Sequence, residues 1–92
     1  MNKLDFSFVY KNFKKRLQET YGKEVASLVW KKANALLKNI ERGGYEGIGK
    51  PEPLKGNLSG YWSRRIDDYN RIVYRIDGEI IEIVQCGTHY HQ

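Results

Sequence analysis

The stretch NRIVYRIDGEIIEIVQC, residues 70–86, decides the fold. Two runs rich in β-branched and aromatic residues flank Asp77-Gly78, a dipeptide that signals a two-residue hairpin turn. Centring the turn on that pair sets Tyr74 opposite Ile81 and Ile72 opposite Ile83, so these side chains share one apolar face. The other face then carries Arg71, Val73 and Arg75 against Val84, Glu82 and Ile80. Upstream, residues 61–66 read as a further strand, and a turn at 67–69 sets Arg65 opposite Arg71 on the outer face. Strands are therefore expected over 61–66, 70–76 and 79–86.

The apolar face needs a cover, and the first half of the chain supplies it. Val9, Phe13, Leu17 and Tyr21 are spaced by four, a helical stripe that Gly22 is placed to end. Val25, Leu28, Val29, Ala33, Leu36, Leu37 and Ile40 recur at three and four, predicting a helix over 23–42 closed by Gly43-Gly44. Lys31, Lys32 and Lys38 fall on its other side and read as a solvated face. Before the helices, Phe6, Phe8 and Tyr10 alternate with polar residues, which predicts a short strand over 4–8. The expected fold is α+β, in the order β-α-α-β-β-β. It is an antiparallel twisted sheet with two helices packed on one face and an open, arginine-rich face opposite. With 92 residues and no repeat or break in composition, a single domain over 1–92 is expected.

Composition narrows the class. Apolar residues make up 40% of the chain, which argues against disorder. No run approaches the roughly 20 apolar residues of a membrane span, and the N-terminal segment lacks the apolar core of a signal peptide. Cys86 is the only cysteine, so no internal disulfide can form. A cytoplasmic protein without membrane contact is expected. The net charge is +5, concentrated in residues 1–49, which hold ten Lys/Arg against five Asp/Glu. Such a surface favours polyanions.

The chemistry gathers in GKPEPLKGNLSGYWSRRI, residues 49–66. The aperiodic segment 43–60 holds six glycines and both prolines, and its length itself points to function. Pro51 and Pro53 restrict the backbone on both sides of Glu52. This makes either a rigid surface turn or a pre-positioned general base. Arg65 and Arg71 can clamp a phosphate, or pair across strands with acids such as Glu82. His89 has the imidazole suited to proton transfer near neutrality. Cys86, His89 and His91 are too few for a structural zinc, and GIGKPE lacks the spacing of a phosphate-cradling loop, so no metal and no cofactor are expected. Cys86 sits in an apolar strand and reads as a buried thiol. A base, cations and an acid together meet the needs of RNA cleavage.

The string KPEPLKGNLSGYWSRRI, continued by YNRIVYRI and ending on HY at 89–90, resembles the YoeB/Txe toxins of the RelE superfamily. The resemblance covers about residues 44–90. It implies a RelE-like microbial RNase fold and a metal-independent, ribosome-dependent mRNA endoribonuclease. Such a toxin cuts in the ribosomal A site by 2′-hydroxyl attack, leaving 2′,3′-cyclic phosphate and 5′-hydroxyl ends. By the same resemblance Glu52 is the general base, Arg65 and Arg71 stabilise the phosphate, and His89 is the general acid beside Tyr90. Lys55 would bind RNA, and the neighbouring Lys50 and Arg64 are expected to do so too. The implied partners are a YefM/Axe-like antitoxin, the 70S ribosome with A-site mRNA, and operator DNA only through the antitoxin complex; a homodimer is admitted. The chain departs from the family in its basic N-terminal segment and in His91-Gln92 after the tyrosine. The competing reading is a non-cleaving RNA- or ribosome-binding module, or an antitoxin-dependent transcriptional co-repressor.

Overall fold

The computed structural model describes residues 3–5 and 8–87. In chain order these form β1 (Lys3–Asp5), α1 (Phe8–Gly43), β2 (Glu52–Pro53), β3 (Trp62–Arg65), β4 (Arg71–Asp77) and β5 (Ile80–Gly87). A single 3₁₀ turn, Gly56–Leu58, lies between β2 and β3. The strands form one sheet in the order β1-β5-β4-β3-β2. Strands β2 to β5 are antiparallel neighbours, whereas β1 joins β5 in parallel, Lys3 opposite Ile80. The α+β class and the helix-covered sheet are as expected, with two additions. The first strand ends at Asp5 rather than residue 8, because Phe8 already opens the helix. The segment read as loop contributes β2, two residues paired with β3.

The expected pair of helices is present as one helical stretch broken at Gly22, whose φ of 79° and ψ of 170° no helix contains. Glycine reaches that conformation without a Cβ penalty, which is why the chain bends there. Phe13 and Leu17 before the break, and Ala26, Val29, Ala33, Leu36, Leu37 and Ile40 after it, are buried. They pack on Ile72, Tyr74, Ile81, Ile83 and Cys86 of the sheet. Each fully buried Ile, Leu or Phe here contributes about 1.5–3 kcal/mol. The Gly44 N–H closes the helix on the Ile40 carbonyl at 2.8 Å, with Gly44 at φ 64°.

The hairpin register differs from the sequence expectation. The last pair is Asp77 with Ile80, so Gly78 and Glu79 form the turn. Gly78 is therefore the first central residue, at φ 61°, which is the glycine position of II′ turns. Tyr74 faces Ile83 and Ile76 faces Ile81. Next to the turn the displacement is two residues in pairing, so the apolar face there is unchanged but the outer partners are not; from residue 73 back to 71 it is three. Arg75 faces Glu82, Val73 faces Gln85 and Arg71 faces Gly87. A bulge between Val73 and Tyr74 leaves Val84 without an opposite residue. It also turns Cys86 onto the helix side opposite Ile72.

Candidate active site

The sheet face away from the helices collects three of the expected residues. Glu52 on β2 is opposite Ser63 on β3, Ser63 is opposite Val73 on β4, and Val73 is opposite Gln85 on β5. Directly opposed residues of antiparallel strands share a face, so these four form one row. One step along, Arg65, Arg71 and Gly87 form the next row. Glu52 thus stands diagonal to Arg65, at the ~7–8 Å Cα spacing of diagonal neighbours. In the first row Ser63 and Val73 are buried and Glu52 is exposed; in the second Arg65 is exposed and Arg71 is half-buried. Arg65 directly opposite Arg71, as expected from the sequence, is an unfavourable like-charge pair.

Arg75 completes the face differently. Its guanidinium binds the Glu82 carboxylate through Nε at 3.0 Å and Nη2 at 3.2 Å, and its Cζ lies 5.5 Å from the Tyr61 ring centroid. The hydrogen bond and charge of Arg75 hold the Glu82 carboxyl below the ordinary glutamate range. The acid that was weighed as a partner for Arg65 or Arg71 is therefore engaged by Arg75.

Lys50 and Lys55 are exposed at the two sides of β2. Lys50 has φ 51°, the one positive φ of a non-glycine residue among those described. Arg64 is a correction. Expected to bind RNA, it is fully buried on the helix side of β3. Successive strand residues point to opposite faces, so Arg65 outward requires Arg64 inward, beside Trp62. Its Nε donates to the Tyr74 hydroxyl at 3.0 Å, and its terminal nitrogens donate to Asn39 and to backbone carbonyls of residues 44, 46 and 48. Burial raises the Tyr74 pKa, an effect that the Arg64 hydrogen bond opposes. His89 and Tyr90 lie outside the described residues.

Sequence reasoning missed Arg16. Its Nη2 donates to the Cys86 carbonyl at 2.6 Å, at the end of β5. It also lines a small cleft of about 100 Å³ with Phe13, Leu17, Tyr21, Asn70 and Gly87. No periodicity marks an arginine on a helix flank for this contact. Cys86 is buried as expected, and burial pushes its thiol pKa up to about 12, so it is not a nucleophile at neutral pH. No described helix is long and apolar enough to cross a membrane.

Comparison with known proteins gives the family and the fold. Residues 10–90 match the model of the YoeB-like toxin of bacterial type II toxin–antitoxin systems. The toxin YoeB of Escherichia coli K12 is 47% identical over 70 residues, which is 76% of this chain and 83% of that protein. The YoeB/ParE toxin from Agrobacterium tumefaciens superposes with a TM-score of 0.80 at 38% identity, covering 96% of this chain and 99% of the other. A YoeB–YefM complex from Staphylococcus aureus superposes at 0.76 with 42% identity, covering 98% and 99%. The toxin of that organism has also been solved as a dimer. The chain belongs to the YoeB-like toxins of bacterial type II toxin–antitoxin systems.

Proposed function

We propose that this toxin is a ribosome-dependent mRNA endoribonuclease. The observation that carries the reading is the sharing of one sheet face by Glu52, Arg65 and Arg71, in adjacent rows across β2, β3 and β4. In the proposed reaction the Glu52 carboxylate takes the proton of a ribose 2′-hydroxyl. The 2′-oxygen attacks the adjacent phosphorus, and Arg65 and Arg71 neutralise the charge that builds on the phosphoryl oxygens. The bond from phosphorus to the 5′-oxygen breaks, and that oxygen takes a proton from His89, with Tyr90 beside it. The products are a 2′,3′-cyclic phosphate and a 5′-hydroxyl. His89 and Tyr90 enter on the family resemblance alone. Lys50 and Lys55 flank β2 on the chain and are assigned to RNA; Arg64 is not.

The ribosome supplies the mRNA in its A site and places the reaction in the cytoplasm. A YefM-like antitoxin is proposed as the partner that silences the toxin, with operator DNA reached only through that complex, by analogy with the Staphylococcus aureus pair. A homodimer is proposed on the same footing.

The test is translation in vitro with purified toxin and mapping of mRNA 5′ ends. Cleavage within the A-site codon that disappears with Glu52→Gln supports the reading. Growth arrest and ribosome binding without any new 5′ end would instead make the protein a non-cleaving ribosome ligand.

A further inference from the structure

Arg64 is fully buried, yet all five of its N–H donors have acceptors. Nε donates to the Tyr74 hydroxyl at 3.0 Å. Nη1 donates to Asn39 Oδ1 at 2.6 Å and to the Ile48 carbonyl at 3.2 Å. Nη2 donates to the Gly44 carbonyl at 2.7 Å and the Glu46 carbonyl at 2.9 Å. Every acceptor is neutral. The charge is balanced by carbonyl dipoles at the C-terminal end of α1, where the helix dipole is negative. The acceptors are tied to one another as well. The Tyr74 hydroxyl donates to the Gly44 carbonyl at 3.0 Å, and Asn39 Oδ1 also accepts the Ile48 N–H at 3.2 Å.

One guanidinium thus holds three alternate carbonyls of the segment 44–48. Residues 49–51 lead from that segment into Glu52. The Gly49 carbonyl accepts the Arg65 N–H at 2.7 Å. Lys50 then takes φ 51° immediately before Pro51, where the backbone prefers the extended region. A non-glycine residue in this region costs about 1–2 kcal/mol, and persists only where its surroundings enforce it. The Gly49–Arg65 bond adjoins Lys50, and the Arg64 bonds fix the segment immediately before it.

We propose that Arg64 is a positioning residue for Glu52. It fixes the path of residues 44–49, and through the strained Lys50 it delivers the carboxylate to the face that holds Arg65 and Arg71. The two adjacent arginines of β3 then divide the work, Arg65 meeting the phosphate and Arg64 placing the base. The second half of this inference rests on the endonuclease reading of Glu52.

The test uses Arg64→Lys, which keeps the charge but offers three donors in place of five. The first arm is amide hydrogen exchange on the folded toxin. Protection of the Ile48 and Arg65 amides is expected to fall about tenfold or more while the β4–β5 ladder is unchanged. Unchanged protection at Ile48 and Arg65 overturns the positioning of the loop. The second arm is cleavage kinetics on ribosomes. Arg64→Lys is expected to lower kcat about 100-fold with KM within about threefold. Added to Glu52→Gln it is expected to cost less than about threefold more, because the group it places is already disabled. Added to Arg71→Lys it keeps its full effect. An equal loss on the Glu52→Gln background, or a retained kcat, overturns the link to Glu52. If the wild-type toxin does not cleave, the endonuclease reading fails and the link to catalysis with it, while the exchange arm still decides the loop. Tyr74→Phe removes one acceptor of Arg64 and one bond to Gly44. It is the milder variant should Arg64→Lys not fold, and the same pattern at smaller size is expected.

Discussion

The two faces of β3 use the same residue type for opposite ends. On the helix side, Arg64 is sealed from water and spends all its donors on the protein's own carbonyls and two side chains. On the open side, Arg65 is exposed and set opposite another arginine, which the fold alone does not favour. Neighbours in sequence therefore differ in what their loss should do. Removal of the inner one should damage the structure, and removal of the outer one should damage only the proposed reaction.

Substitutions sharpen this contrast. The largest expected effect is on the open face: Glu52→Gln should slow mRNA cleavage by about 10²–10⁴-fold, with an unchanged melting temperature. A cleavage rate within error of wild type would remove Glu52 from the reaction. Arg65→Ala should lower cleavage by about 10²–10³-fold and stability by no more than about 0.5 kcal/mol. Arg64→Ala strips five buried bonds at once and should cost at least about 3 kcal/mol in urea unfolding. Equal stability losses for the two arginines would break the comparison outright. Next in size is Gly49→Ala. A Cβ there would lie 2.7 Å from Leu36 Cδ2 and 2.8 Å from the Arg65 carbonyl. Calorimetry should show a loss of about 1–3 kcal/mol.

The smallest effect belongs to the exposed Arg75–Glu82 pair. The folded state holds Glu82 below its ordinary pKa, so its contribution is present above the ordinary glutamate range and is lost as the pH falls through the lowered value. Glu82→Gln should therefore lower the melting temperature slightly at neutral pH and not at all once the carboxyl is protonated. A gap between the two proteins that widens in acid would reverse the sign and refute the pairing.

Most of the fold was legible because its signals are periodic. The three- and four-residue spacing of Val29, Ala33, Leu36, Leu37 and Ile40 has one helical solution, and the alternation in Ile72, Tyr74 and Ile76 has one apolar face. The opposition of Arg65 and Arg71 followed from the turn placed at 67–69. Parity also implied that Arg64 points inward, yet arginine is almost never fully buried, and its acceptors are backbone carbonyls, which no residue letter announces. Next to the turn the hairpin slipped by two because Asp77-Gly78 can occupy a turn with glycine first or second, and both choices give the same faces there; the bulge beyond it added a third residue. Strand β1 was placed roughly, within a sheet expected to be antiparallel, and it pairs in parallel instead. A three-residue strand at a sheet edge carries no pattern from which parallel pairing could be inferred.

That parallel strand also sets an order of assembly. The β4–β5 hairpin closes across a two-residue turn, and β3 adds to it across a short one. Strand β1 instead pairs with β5 across nearly the whole length of the chain. Loop-closure entropy opposes such a contact until the intervening chain has collapsed, so docking of β1 is expected to be the late event of folding. During synthesis β1 leaves the ribosome before the other strands of the sheet and waits for β5, the last of them in chain order. The rows bearing Glu52, Arg65 and Arg71 need only β2 to β5, so the proposed active face can form before the sheet's far edge is complete.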